Sequence, residues 1–187
     1  MGSLDPANGS WPSRIAALLP PGSTYRNLGV SGSLTAQAQR DQLPAAVREQ
    51  PTVVSIWLAV NDLNALIPAQ DQAASLAAIV DTLVQGTPAR VFVGNVPDLR
   101  AVPIYSAVDP LVLLARMQSY NTAIAAAVAK QPDRAVLVDL FAGSADLMSQ
   151  VTVSGDGFHP SDAGYVLIAQ RFADAMRKSG VPLRPGP

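Results

Sequence analysis

The sequence predicts an α/β fold, a parallel sheet covered by helices on both faces. Short β-branched runs alternate with longer Ala/Leu-rich segments of helical period, the pattern of βαβ units. The run Thr52 to Val60 (TVVSIWLAV) is almost continuously apolar, which suits a strand buried on both faces. The chain has 187 residues, 49% hydrophobic and only 14% charged, enough to bury a core as a single domain over residues 1–187.

Each element follows in order. Ser10 precedes a helix from about Trp11 to Leu19, with Pro12 in its first turn and Pro20–Pro21 ending it. Thr24 to Val30 reads as the first strand. A helical region runs on to about Glu49, interrupted at Pro44, and Thr52 to Val60 is the second strand. Asp71 to Gln85 is a helix stopped by Gly86, and Arg90 to Val96 is the third strand. A Pro-containing loop, Pro97 to Asp109, leads to a long helix from Leu111 to Lys130. Ala135 to Leu140 is the fourth strand. A short helix near Ser144 to Ser149, a Gly-rich loop and a last helix from Ser161 to Lys178 follow. The tail, Val181 to Pro187, is expected to fray.

Composition narrows the function. The charge of −1, from 13 Lys+Arg against 14 Asp+Glu, offers no basic surface for nucleic acid. With no cysteine there is no disulfide, thiolate metal site or Cys nucleophile. The single histidine, His159, has no cluster of further metal ligands in sequence, so no metal is expected. The longest apolar-rich stretch, Thr122 to Ala129, falls far short of the ~20 residues that span a bilayer. No basic start followed by an apolar block marks a signal peptide at Met1, and the residues assign no compartment. There is no G-x-G-x-x-G or Walker pattern for a nucleotide or flavin, and no cofactor is expected.

In a parallel sheet, ligands sit beyond the carboxyl ends of the strands. Three polar clusters lie there: Asn27 to Ser33, then Asn61-Asp62, then Ser154 to Pro160. Asp156 and His159 stand three residues apart, close enough for the carboxylate to hold one imidazole nitrogen and free the other as a base. Gly32 offers a backbone N–H to which a ligand can come close, and Asn61 offers a side-chain amide. Read singly, Asp156 and His159 also suit a helix cap and a surface His, and Asn61 and Gly32 suit ordinary turns better than a ligand site. Read together, a base, its orienter and two donors describe an acyl-transfer site. Ile104 and Tyr105, in the loop after the third strand, are candidates to line a pocket.

Three blocks then give a family resemblance. Asn-Leu-Gly-Val-Ser-Gly (27–32), Leu-Ala-Val-Asn-Asp (58–62) and Asp-Gly-Phe-His-Pro-Ser (156–161) resemble, in order and spacing, blocks of the SGNH hydrolases, also called GDSL esterases/lipases. The resemblance implies a flavodoxin-like three-layer α/β/α sandwich around five parallel strands. It implies hydrolysis of a small ester or lipid-like substrate, with His159 and Asp156 activating a serine. Gly32 and Asn61 would complete the oxyanion hole. Ala59 replaces the Gly that normally opens the third block.

The first block departs further. Met1-Gly2-Ser3-Leu4 looks like Gly-Asp-Ser-Leu without its Asp, and no strand precedes it. Ser3 lies only eight residues before Trp11, closer than the family's nucleophile lies to this position. The expectation is therefore that the first strand and the nucleophile fall upstream of Met1, with Ser3 the in-chain candidate. Ser31 and Ser33 lack the G-x-S-x-G setting of a nucleophile elbow. Ser154 and Ser161 read as turn and N-cap residues. A sheet lacking its first strand would expose backbone groups, which a strand from another copy would pair by self-association. The alternative function is a catalytically incomplete domain that binds without turning over.

Overall fold

The computed structural model describes residue 5 and residues 8–147 and 152–185. These gather into two compact units. One draws on Met1–Asn27, Pro97–Leu113 and Leu140–Pro187; the other on Leu28–Val96 and Leu114–Asp139.

The second unit holds the sheet. Strands β1 (Val53–Ile56), β2 (Arg90–Gly94) and β3 (Ala135–Val138) run parallel in the order β1-β2-β3. Val53 pairs with Arg90 and Val91 with Ala135. Parallel neighbours require long crossovers. Helix α5 (Ala69–Gly86) lies in the first and helix α6 (Pro110–Val128) forms the second. Leu76, Val80 and Leu83 recur on one face of α5, each at most 1% exposed, and α5 packs on β2. The central strand is the most buried, with Val91, Phe92 and Val93 all inaccessible. Met117, Tyr120 and Ile124 of α6 are buried at the same helical spacing.

Helices α2 (Thr35–Gln37) and α3 (Leu43–Arg48) are joined by a π-helical turn, Ala38–Gln42. Pro44 explains the turn. It has no N–H to donate, and its ring crowds the carbonyl four residues back, so the helix widens just before it.

In the first unit, helix α1 (Trp11–Ala16) packs on helix α7 (Asp162–Lys178), the Trp11 ring stacked on Phe172 at 4.4 Å. Ala169, Phe172, Ala173 and Met176 form the buried stripe of α7. The Ser161 hydroxyl accepts from the Gly164 N–H at 3.2 Å, as its N-cap reading expects. A single turn, Pro103–Tyr105, interrupts the loop before α6, and another, Ala145–Leu147, follows β3.

Two expectations need correction. Thr24 to Val30 is not a strand. It forms no ladder with any described residue, and Tyr25 and Val30 are 41% and 62% exposed. A run with strand-favouring residues is a strand only when a neighbour takes its backbone groups, and Asn27 and Gly29 weaken this one further. Three of the four expected strands are therefore present.

The second correction concerns Thr52 to Val60, which is strand only over Val53–Ile56. The chain turns at Trp57, whose indole N–H donates to the Asn95 carbonyl at 3.1 Å. Ala59 is already helical, and helix α4 (Val60–Asn64) begins there. As an outer strand of the described sheet, β1 is half-buried except at Ile56, not buried on both faces.

In the tail, the Arg184 N–H donates to the Leu18 carbonyl at 2.7 Å and its guanidinium to the Ala17 carbonyl at 2.6 Å. Among the described residues no helix is long and apolar enough to cross a membrane.

Candidate active site

The Asp-Gly-Phe-His-Pro segment is a closed turn in front of α7. Val153 and Pro160 form an antiparallel bridge, and the Ser154 N–H donates to the His159 carbonyl at 2.8 Å. Gly157 takes φ +72°, a left-handed conformation that glycine adopts without strain, and its N–H donates to the Ser154 carbonyl. The turn brings Asp156 and His159 together as the spacing expects: Asp156 Oδ2 lies 2.7 Å from His159 Nδ1. With the carboxylate accepting, Nδ1 carries the proton and Nε2 is left with a lone pair. The imidazole is about one-third exposed.

Oδ1 of Asp156 is saturated. It accepts from Ser154 Oγ at 2.6 Å, Phe158 N at 2.9 Å and His159 N at 3.0 Å. The Ser154 hydroxyl, then the imidazole, then the backbone amides hold this carboxyl well below the usual carboxylate range. The loop after β2 braces the turn. The Ile104 N–H donates to the Gly157 carbonyl at 3.0 Å, and Tyr105 meets Phe158 edge-on, which in turn meets the His159 ring at 4.7 Å. Of the two pocket candidates, Tyr105 is therefore buried as a brace, while Ile104 is 57% exposed.

The bracing loop has its own anchor. Asp98, 3% exposed, accepts two parallel bonds from the Arg100 guanidinium, and its N–H donates to Ser144 Oγ at 2.8 Å. Arg100 holds the Asp98 carboxyl below its usual range. Gly164 lets this unit close: a Cβ there would stand 2.3 Å from the Thr152 carbonyl oxygen. Sequence reasoning missed both, although a Gly in the first turn of a helix was the available signal.

Gly32 and Asn61 form the second cluster. Gly32 is the third residue of the turn Val30 to Ser33, closed by Ser33 N–H to Val30 O at 3.2 Å. Its φ of +76° is what that position of a type II turn demands. Its N–H makes no bond to any described residue and is exposed beside a shallow cleft of about 250 Å³ that includes Ser31, Gln37 and Gln42. Asn61 lies in the first turn of α4, not directly at a strand end. One amide hydrogen of Asn61 goes to the Ser33 carbonyl at 3.1 Å, which leaves the other for a ligand.

Behind these donors lies a buried polar cluster. Asp62, 1% exposed, accepts from the Thr35 N–H at 3.0 Å and its hydroxyl at 2.9 Å. Gln72 Nε2 donates to the Thr35 hydroxyl at 3.2 Å. Burial pushes the Asp62 carboxyl above its ordinary range against these bonds. Desolvation first, then the Asp62 charge, pushes Tyr120 up to about 12, and its hydroxyl donates to the Ile67 carbonyl. The sequence signal was the acid of the Asn61-Asp62 pair, which the sequence reading treated only as part of a turn.

Among the described residues no three His, Asp or Glu side chains converge on a point that would hold a metal ion. Ser3, the in-chain candidate for the nucleophile, lies outside the described residues.

No curated protein matches the chain in sequence. Several solved structures match it in fold. TesA superposes with a TM-score of 0.73 at 21% identity, over 94% of this chain and 91% of its own. The psychrotrophic esterase EstA from Pseudoalteromonas sp., solved with monoethylphosphonate, gives 0.70 at 19% identity, over 92% and 88%. Axe2, an acetyl-xylooligosaccharide esterase from Geobacillus, gives 0.71 at 17%, over 91% and 81%. The α/β/α fold expected from the sequence blocks is thus shared with these proteins, with three parallel strands described here. The model of the GDSL-like lipase/acylhydrolase family matches residues 2–167, and the chain belongs to that family.

Proposed function

We propose that the chain hydrolyses small carboxylic esters through a serine acyl-enzyme, with His159 as the base. Ester hydrolysis in general is the activity of its family. The finer assignment is carried by one observation, the 2.7 Å contact between Asp156 Oδ2 and His159 Nδ1, which leaves Nε2 unbonded. A serine Oγ attacks the ester carbonyl carbon while His159 Nε2 takes its proton. Asp156 fixes the tautomer and stabilises the imidazolium that forms. The carbonyl oxygen becomes an oxyanion, which accepts from the Gly32 N–H and the free amide hydrogen of Asn61. Collapse of the intermediate breaks the ester C–O bond, and His159 returns the proton to the leaving alcohol. A water molecule then repeats the attack on the acyl-enzyme, with the same proton route, and frees the acid. This chemistry needs no cofactor.

The substrate proposed is an acyl ester of short or medium chain, a lysophospholipid or an acetylated sugar. Axe2, an acetyl-xylooligosaccharide esterase of the same fold, supports the last of these.

The test is hydrolysis of short-chain p-nitrophenyl esters by the full chain beside His159→Ala. A serine-directed phosphonate, read by mass spectrometry, locates the nucleophile and states whether it is Ser3. With Ser3 as the nucleophile, the parent turns over and the variant loses turnover, with residual catalysis of at most ~10³–10⁴ over water. Equal turnover in both overturns the role of His159. A folded parent that neither turns over nor takes the label overturns the catalytic reading in favour of a binding domain of the same fold.

A further inference from the structure

We infer that Asp62 holds the two oxyanion donors in register, acting on Gly32 through Thr35; this rests on the reading of Gly32 and Asn61 given above. Asn61 and Asp62 are consecutive on α4, and each grips the segment that follows Gly32. Asn61 Nδ2 donates to the Ser33 carbonyl at 3.1 Å. Asp62 accepts from the Thr35 N–H with both oxygens, at 3.0 and 3.2 Å, and from its hydroxyl at 2.9 Å. Two adjacent side chains thus pin alternate residues, Ser33 and Thr35. The Gly32 turn itself is exposed and closed by a single backbone bond, so the direction of its N–H depends on where Ser33 to Thr35 is fixed.

The local chain anchors the neighbours of Thr35, the Leu34 N–H donating to Gln37 Oε1 at 2.9 Å and Gln42 Nε2 to Ser33 Oγ at 2.9 Å, but it offers no acceptor to Thr35 itself. Thr35 opens α2, and the residue at its N-cap position, Leu34, has no side-chain oxygen to accept from the first turn. Asp62 takes that role from 27 residues away. Gln72 of α5 supports it through the Thr35 hydroxyl while its own Oε1 stays buried with no partner among the described residues. Among the described residues no cation pairs with Asp62. A buried carboxylate without a counter-ion is costly, and an apolar contact would join α4 to α2 at less cost. An apolar contact would not fix a hydrogen-bonded register, and that register sets the separation of Gly32 from Asn61. Asp62 is thus a positioning residue, because it touches no reacting atom.

The experiment compares Asp62→Asn, Thr35→Ser and Asn61→Ala in the full chain. An amide has one acceptor oxygen where the carboxylate has two, so Asp62→Asn loses one arm of the grip with little change of volume. Thr35→Ser keeps both donors. In Asp62→Asn, kcat on a short-chain p-nitrophenyl ester should fall by about 10- to 100-fold with KM nearly unchanged. The Gly32 amide and Asn61 side-chain amide signals in a two-dimensional NMR spectrum should move with it. Thr35→Ser should leave kcat and both signals near the parent's. Should Asp62→Asn not fold, Thr35→Val removes the hydroxyl donor alone and carries the same test.

Unmoved signals and kcat in Asp62→Asn, beside a depressed kcat in Asn61→Ala, overturn this inference and leave the oxyanion reading standing. An unchanged kcat in Asn61→Ala overturns that reading and this inference with it. The amide signals need no turnover, so in a chain that does not hydrolyse the ester they decide alone.

Discussion

Asp156, on the turn before α7, and Asp62, on α4, each accept from one side-chain hydroxyl and from backbone N–H, yet their carboxyls are displaced in opposite directions. Asp156 is drawn below the usual range and Asp62 is pushed above it. The difference is water. The side chain of Asp156 is 43% exposed, so its four donors act on a charge that is already solvated. Asp62 is 1% exposed, and the loss of hydration outweighs what Thr35 returns. A donor-rich carboxylate is therefore not by itself a strongly acidic one; its donors must exceed the solvation it has lost.

The largest break of this comparison is at Asp156. Asp156→Asn preserves size, but its amide no longer favours the tautomer with Nδ1 protonated. In an ester assay kcat should fall by up to ~10⁴-fold with the fold intact by circular dichroism. The same exchange at Asp62 should cost far less, because Asp62 reaches the chemistry only through Thr35. If Asp156→Asn and Asp62→Asn were to slow the reaction equally, the division between a residue on the imidazole and a positioning residue would fail.

The two aspartates also divide what the sequence makes legible from what it hides. Asp156 and His159 stand three residues apart with Gly157 between them, so a turn alone brings them together, and the pair was visible from spacing. Thr35, the partner of Asp62, lies 27 residues before it, and Gln72, which donates to Thr35, lies ten after it, on different helices. Only the packing of α2, α4 and α5 makes them neighbours. The same distinction holds for the fold. The central strand β2 was legible because its apolar run is buried on both sides. Thr24 to Val30 carries Thr24, Tyr25 and Val30 as strand-favouring residues, but a strand is a relation between two segments and no composition states which neighbour is present. Trp57 to Ala59 continue the apolar run of β1, yet the chain leaves the sheet there and enters α4 at Val60.

A smaller effect separates the two carboxyls by pH. Asp156 has a folded pKa below its unfolded value of about 3.9, so its contribution to stability is present above that value and is lost as pH falls through the folded pKa. Asp62 has a raised folded pKa, so its contribution is fully present below about 3.9 and is lost as pH rises through the folded value. Urea denaturation of the parent, Asp156→Asn and Asp62→Asn across this range should therefore give difference curves of opposite slope. The Asp156 curve should be shallow, since its side chain is nearly half exposed and solvent screens it. Slopes of the same sign would show that burial does not govern Asp62.

Ser154→Ala gives the finest measure. Its hydroxyl is the largest single influence holding the Asp156 carboxyl down, ahead of the imidazole and the amides of Phe158 and His159. The hydroxyl is not needed to close the turn, because Ser154 N–H to His159 O and Gly157 N–H to Ser154 O are backbone bonds that alanine retains. Oδ2 keeps its contact with Nδ1, so the imidazole keeps its tautomer. The variant should consequently shift the Asp156 titration, followed by the 13C carboxyl signal, upward toward the ordinary carboxylate range. Ester hydrolysis should drop by less than about tenfold, in keeping with the ~1 kcal/mol of one exposed hydrogen bond. An unmoved titration would assign the low pKa to the imidazole and the backbone amides, and would make Asp156 a purely turn-held acid, still opposite to Asp62 but without help from any neighbouring hydroxyl.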